Sequence, residues 1–131
     1  MENELTIGKQ SMVSLVTDNP LGDLIKPLSH EILLFDSYVA GTAYIDDETV
    51  FEEIKEGDKV VLKREPENRF DENAILVLDG KNRKLGYIPE KDNIVFARLM
   101  DAGKYLTAKI NDHNTDGSFR KINISIYLVD F

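Results

Sequence analysis

Cysteine is absent from the 131 residues. That excludes a disulfide framework, a thiolate nucleophile and a thiolate metal site, and it fits a reducing compartment. Histidine is scarce: His30 and His113 stand far apart without helical ligand spacing. Asp112 beside His113 points the other way on a strand or turn, so no metal site is expected. No apolar run approaches the roughly 20 residues of a spanning helix. The stretch Met12 to Val16 is broken by Ser14, and Glu2 and Glu4 stand where a secretory leader carries Lys or Arg. Also missing are the Gly-x-Ser-x-Gly elbow, the Gly-x-x-x-x-Gly-Lys-Ser/Thr phosphate loop and the His-Glu-x-x-His pair. Carboxylate pairs such as Glu65 and Asp71 suit acid–base work, but among 24 acidic residues chance proximity explains them better. The expectation is a cytoplasmic protein, not an enzyme, with no metal, no cofactor and no membrane segment.

Positive charge is in short supply too. Net charge is −8, which argues against a nonspecific nucleic-acid coat, since Lys and Arg supply most phosphate binding. The deficit is uneven. Residues 1–58 hold three cations against thirteen carboxylates, whereas residues 59–131 hold thirteen cations against eleven. The second half thus has the means to present a basic face through Lys63, Arg64, Arg69, Lys81, Arg83, Lys84 and Lys91. The plainer alternative is that these are solvated strand and loop residues.

What is present reads as one small domain preceded by an arm. Residues 1–30 are punctuated by Asn19-Pro20-Leu21-Gly22 and Lys26-Pro27 and carry no sustained period. They form the expected N-terminal arm, with Leu21, Leu24, Ile25 and Leu28 packing on a domain spanning 31–131. Residues 31–39 read as a buried strand continuing through Gly41 to Tyr44, with a bulge or a close backbone approach at the glycine. Thr49 and Glu52 have capping-box spacing for a short helix ended by Gly57. Strands are expected over 59–64, with Val60, Leu62 and Arg64 on one face, over 74–78, apolar on both faces, and over 84–88. Asp79-Gly80 marks the turn between the last two. A helix over 93–103 pairs Val95 with Leu99 and Phe96 with Met100, capped by Asp92. Strands over 104–110 and 121–128 follow, joined by a polar loop, with Ile122, Ile124 and Ile126 facing in. Many short strands and two short helices point to a compact β-barrel.

Between two of these strands runs Arg64-Glu65-Pro66-Glu67-Asn68-Arg69-Phe70-Asp71-Glu72-Asn73-Ala74-Ile75. This bend is too long for a tight hairpin and has a large aromatic in a polar setting. Pro66 and Asn73 are expected to build it, leaving Asn68, Phe70 and Asp71 to face a ligand. Tyr44, Tyr87 and Phe119 also fall at strand ends or loop edges. Stacking on aromatic faces with a few hydrogen bonds is how single strands are held. Plain core or edge packing of those rings is the competing explanation.

The same run, in register with Val39-Ala40-Gly41-Thr42, Tyr44, Gly57-Asp58, Val61-Leu62 and Leu85-Gly86-Tyr87-Ile88-Pro89, resembles the HIRAN domain over residues 31–129. These are small modules of DNA-repair and chromatin-remodelling ATPases that also occur as standalone bacterial proteins. The resemblance implies a mainly β fold with two short helices, a small OB-like or SH3-like β-barrel that grips the 3′ end of single-stranded DNA. It implies that Tyr44 and Phe70 supply aromatic faces, Asp71 reads the terminal hydroxyl, Asn68 and Tyr87 line the pocket, and Phe119 closes it. Two departures bear on phosphate binding. Ala43 stands where the eukaryotic pattern has Arg, and Glu90 stands near an expected Lys, leaving Lys63, Arg64 or Lys91 to contact phosphate. The function expected is weak, salt-sensitive binding of single-stranded DNA or its 3′ end in repair or replication. The alternative is an acidic module whose Asp46 to Asp58 stretch docks a basic protein partner.

Overall fold

The computed structural model describes residues 30–116 and 119–130, without the side chains of residues 115, 116 and 119. The N-terminal arm therefore lies outside the described residues, apart from His30. Residues Leu33–Leu128 form one compact unit, and everything that positions the site lies within it. Of the other unit, His30–Ile32 and Val129–Asp130 are described, as strand ends.

Six strands form one sheet: β1 (His30–Tyr38), β2 (Lys59–Arg64), β3 (Ile75–Leu78), β4 (Lys84–Tyr87), β5 (Leu106–Asp116) and β6 (Phe119–Asp130). Their order across it is β1-β6-β5-β2-β3-β4, with antiparallel pairing from β6 through β4. Among the described residues two α-helices accompany them, α1 (Val50–Glu53) and α2 (Glu90–Asp101). The ladder does not close, so the expected barrel is a loose one. Among the described residues only a bridge joins its edges: Ala40 N–H donates to Tyr87 O (2.7 Å) and Tyr87 N–H to Ala40 O (2.9 Å).

Period-two patterning places the core. Val60 and Leu62 of β2 and Ile122, Ile124 and Ile126 of β6 are buried, as alternation requires of strands with one covered face. In β3, Ile75, Leu76 and Val77 are all buried, so both faces of this strand are covered, as its continuous apolar run requires. Truncating such a side chain removes the transfer free energy and leaves a cavity.

Five expectations are corrected. The strand over 31–39 forms but is not buried, with Leu33, Phe35 and Tyr38 exposed along it. The chain does not continue as a strand to Tyr44. Gly41 takes φ 77° and Thr42–Tyr44 form one 3₁₀ turn, held to β6 by the Thr42 hydroxyl donating to Arg120 O (3.1 Å). The capping box at Thr49 does not form: Asp47 Oδ1 accepts from the Thr49 N–H and hydroxyl instead, and α1 ends at Glu53, four residues before Gly57. Helix α2 starts earlier than expected, after Pro89. It buries Asn93, Phe96 and Ala97 while Val95 faces solvent, and Asp92 accepts from the Ser37 hydroxyl (2.9 Å) rather than capping. The polar loop expected after Ile110 is largely strand, since residues 112–116 pair with 119–123 beyond an irregularity at Asn111. Its side chains read as loop but bond across the ladder, Asn123 Nδ2 donating to Asp112 Oδ1 (2.7 Å).

An ion cluster ties α1 to the β3–β4 turn. Glu53 accepts from Lys81 Nζ and Arg83 Nη1 (3.1 Å each), and Arg83 also pairs with Asp79 (2.8 Å). Arg83 and then Lys81 hold the Glu53 carboxyl down at about 2. A lowered folded-state value stabilises above the unfolded carboxylate range and is lost as pH falls through the folded value. Wild type is therefore expected to melt above Glu53→Gln near neutral pH. The difference should shrink from about pH 4.5 and vanish near pH 2, as thermal scans across that window would measure.

Candidate nucleic-acid interface

The β2–β3 connection builds itself from its own side chains. Glu65 N–H donates to Ala74 O (3.0 Å), extending the hairpin one step past Arg64. Asn68 Oδ1 then accepts the N–H groups of Phe70 (2.9 Å) and Asp71 (3.1 Å), and Asp71 Oδ1 accepts from Asn73 N–H (2.9 Å). These are side-chain turns of the kind Asn and Asp favour. Asn68 and Asp71 thus organise the loop, a task expected of Pro66 and Asn73. Phe70 takes no part in that packing and is 93% exposed.

Two long-range anchors fix the loop against the domain. Tyr87 of β4 donates its hydroxyl to Glu65 Oε1 (2.8 Å), which also accepts from Asn68 Nδ2 (3.1 Å). Burial pushes the Glu65 carboxyl up, but these hydrogen bonds, with Lys84 and Lys63 nearby, outweigh it and hold the group below its ordinary range. On the other side, buried Asn93 of α2 donates to Asp71 Oδ2 (2.7 Å). The sequence singled out Glu65 only as half of a carboxylate pair with Asp71, and it did not single out Asn93. Asn93 had a signal, being the polar member of the set 93, 96 and 97 on the buried helix face.

The result is a cleft of about 390 Å³ lined by residues of four segments: Ala40, Gly41 and Tyr44; Asn68, Phe70, Asp71 and Ala74; Tyr87 and Ile88; Glu90 and Asn93. Five of the six expected ligand residues meet there. Tyr44 is 89% exposed, so it and Phe70 present open rings rather than core or edge packing. Phe119 begins β6 opposite Asp116, and its side chain lies outside the described residues. Among the described residues, no Lys or Arg lines the cleft, whereas Asp71 and Glu90 do.

The expected phosphate contacts lie elsewhere. Arg64 donates to Ala74 O (2.7 Å), Glu72 O (3.0 Å) and both Asp101 oxygens (2.9 and 3.1 Å), so its fork clamps the loop and is not available to a ligand. Lys91 Nζ sits over the Tyr38 ring at 5.4 Å, and Lys63 is exposed on β2 outside the cleft. The acidic stretch is partly consumed internally: Glu48 pairs with Arg120, Glu53 with Lys81 and Arg83, and Asp58 accepts from Lys55 N–H. Among the described residues, no three His, Cys, Asp or Glu side chains gather as a metal ion would require, and no helix is long and apolar enough to cross a membrane.

Known proteins share this fold. No curated protein matches the sequence. Among solved structures, a protein from Lactobacillus plantarum superposes with TM-score 0.73 at 28% identity, over 79% of this chain and 99% of that one. The crystal structure of the HIRAN domain of human HLTF gives TM-score 0.63 at 18% identity, over 76% and 79% of the two chains. The same human domain solved by NMR in its DNA-bound conformation gives 0.55 at 18% identity. At that identity the human structures speak for the fold. The family model of the HIRAN domain matches residues 32–129, and the chain belongs to the HIRAN domain family.

Proposed function

We propose that this chain is a non-catalytic nucleic-acid-binding module that takes the 3′ end of single-stranded DNA into the cleft. The observation that carries this reading is the pair of open rings, Tyr44 and Phe70, on a cleft whose Asn68, Asp71, Tyr87 and Asn93 side chains are already hydrogen-bonded. Rings left open to water on a rigid frame suit base stacking, where each stacked base is worth about 1–3 kcal/mol. The human relative solved in a DNA-bound conformation supports it. That no Lys or Arg lines the cleft among the described residues argues for weak binding carried by stacking, because phosphate neutralisation supplies most affinity elsewhere.

A fluorescence titration at low salt, with oligonucleotides ending in 3′-hydroxyl or 3′-phosphate, tests it. Tyr44→Ala and Phe70→Ala are each expected to weaken binding by about 5- to 150-fold, the equivalent of one stacked base. Because both rings are exposed, the melting temperature should barely move. Equal affinity for both ends would sink the end-reading part. Unchanged affinity in both variants would sink the stacking surface.

A further inference from the structure

The cations that the cleft lacks are gathered on the sheet beside it. The segments Lys59–Arg64, Ile75–Leu78, Lys84–Tyr87 and Leu106–Ile110 hold five cations and no carboxylate, in a chain whose net charge is −8. Arg64 is spent on the loop clamp. Lys59, Val61 and Lys63 point away from buried Val60 and Leu62, and all three are exposed. Strand pairing assembles the rest of this outer face. Lys59 stands opposite Lys109 of β5, Lys63 opposite Leu76 of β3, and Leu76 opposite Tyr87 of β4. Lys84 reaches over the Tyr87 ring, its Nζ 4.8 Å from the ring centre. Like charges set directly opposite one another do not help a sheet to fold. The face meets the cleft at Tyr87, which lines it. Glu65 is the acid at that rim, already accepting from Tyr87 and Asn68, with Lys84 and Lys63 near it. At the other end, Asp58 beside Lys59 is turned to the Lys55 N–H.

Resting on the nucleic-acid reading of the cleft, we propose that this outer face of β2–β4 is a backbone track for the body of the bound single strand. Leaving the cleft past Tyr87, the strand is held through its phosphates by Lys84, Lys63 and Lys59 in turn. Lys63 and Lys59 stand roughly 13 Å apart along β2, so the track is longer than the cleft alone. Ammonium groups on flexible stems suit a backbone of any sequence, since phosphate contacts position a strand without reading it. The contact with the Tyr87 ring steadies Lys84 and leaves its charge in place. Work is thereby divided, with open rings taking the end and lysines taking the backbone. An acidic protein segment is the other polyanion such a face fits. Continuity with the cleft through Tyr87 favours the nucleic acid.

The test titrates labelled oligothymidylates of about two and about twelve nucleotides, between about 50 and 200 mM salt, with thermal melts of each protein. Wild type should bind the longer strand more tightly. Its log Kd for that strand should climb with log salt about two units more steeply than for the short one, at about 0.7 per phosphate contact. The triple variant Lys59→Gln, Lys63→Gln, Lys84→Gln should melt like wild type and lose that extra slope. A control of the same net charge, Lys55→Gln, Arg98→Gln, Lys104→Gln, alters exposed cations outside the three strands and should keep it. An extra slope kept by the triple variant, or lost equally in the control, overturns the track and leaves the cleft reading standing. Wild type that binds neither length overturns both. A poly-glutamate peptide that displaces the longer strand at equal concentration gives the face to an acidic protein and overturns its assignment to DNA. Should the triple variant melt early, Lys63→Gln alone, expected to lose about 0.7 of the slope, decides.

Discussion

Gly86→Ala is expected to lose about 4 kcal/mol of stability and the cleft with it. A Cβ at this position would lie 2.3 Å from Ala40 O and 2.7 Å from the Val39 side chain. The first of those is backbone and has little room to retreat. Gly86 also takes φ 153°, a conformation that costs a side-chain-bearing residue about 1–3 kcal/mol. Overpacking adds a similar amount. The strain falls on the bridge that joins the two sheet edges, so the amides of Ala40 and Tyr87 should lose hydrogen-exchange protection before those of β5 and β6. Gly80→Ala is the control, since a Cβ there meets nothing within 4 Å. Urea unfolding of the two variants, with exchange at Ala40 and Tyr87, measures the difference. Equal midpoints for both would remove the close approach as a determinant.

Arg64→Met should cost about 3 kcal/mol and weaken ligand binding without touching the cleft surface. The Arg64 side chain is 13% exposed and ends between Ala74 O, Glu72 O and Asp101. Hydrogen bonds from a charged group contribute about 1.5–3 kcal/mol each when partly buried. The Asp101 half is discounted because that carboxylate is 55% exposed. Methionine keeps the apolar stem and removes the fork, so the loss reports on the clamp. Arg64→Lys should recover little of it, because an ammonium cannot reach two carbonyls and a carboxylate in one plane. Since the clamped loop carries Phe70, affinity should fall together with stability, whereas Phe70→Ala separates the two. Parallel melts and titrations of the three variants check this.

These two positions also show where the sequence could and could not be read. Alternation in Lys59–Arg64 and in Ile122–Ile126 assigned the inward residues of β2 and β6 correctly, because a two-residue period is local. The motif loop was recognisable for the same reason: Asn68 and Asp71 act within three residues of themselves. Arg64 was placed on the right strand face, yet read as a phosphate contact. Its partners at 72, 74 and 101 come from a loop and from the last residue of α2. The anchoring roles of Asn93 and Glu65 escaped notice because each depends on a partner 22 residues away. The close approach expected at Gly41 occurs at Gly86, where the missing Cβ makes room for the chain one residue before Gly41. Composition shows that a glycine matters, but only the paired strand shows why.

The Ala40–Tyr87 bridge also sets when the site can exist. Its residues are 47 positions apart in the chain, and Val39 beside it bonds Ile122, farther still along the chain. Such contacts bear the full entropy of closing long loops and belong late in assembly. The cleft floor, formed by Ala40 and Tyr87, is therefore completed only when β6 has joined the sheet. A growing or partly unfolded chain presents the motif loop without the surface that makes it a site. Ligand bound there stabilises the whole sheet rather than one loop, so occupancy of the cleft and integrity of the fold are a single equilibrium.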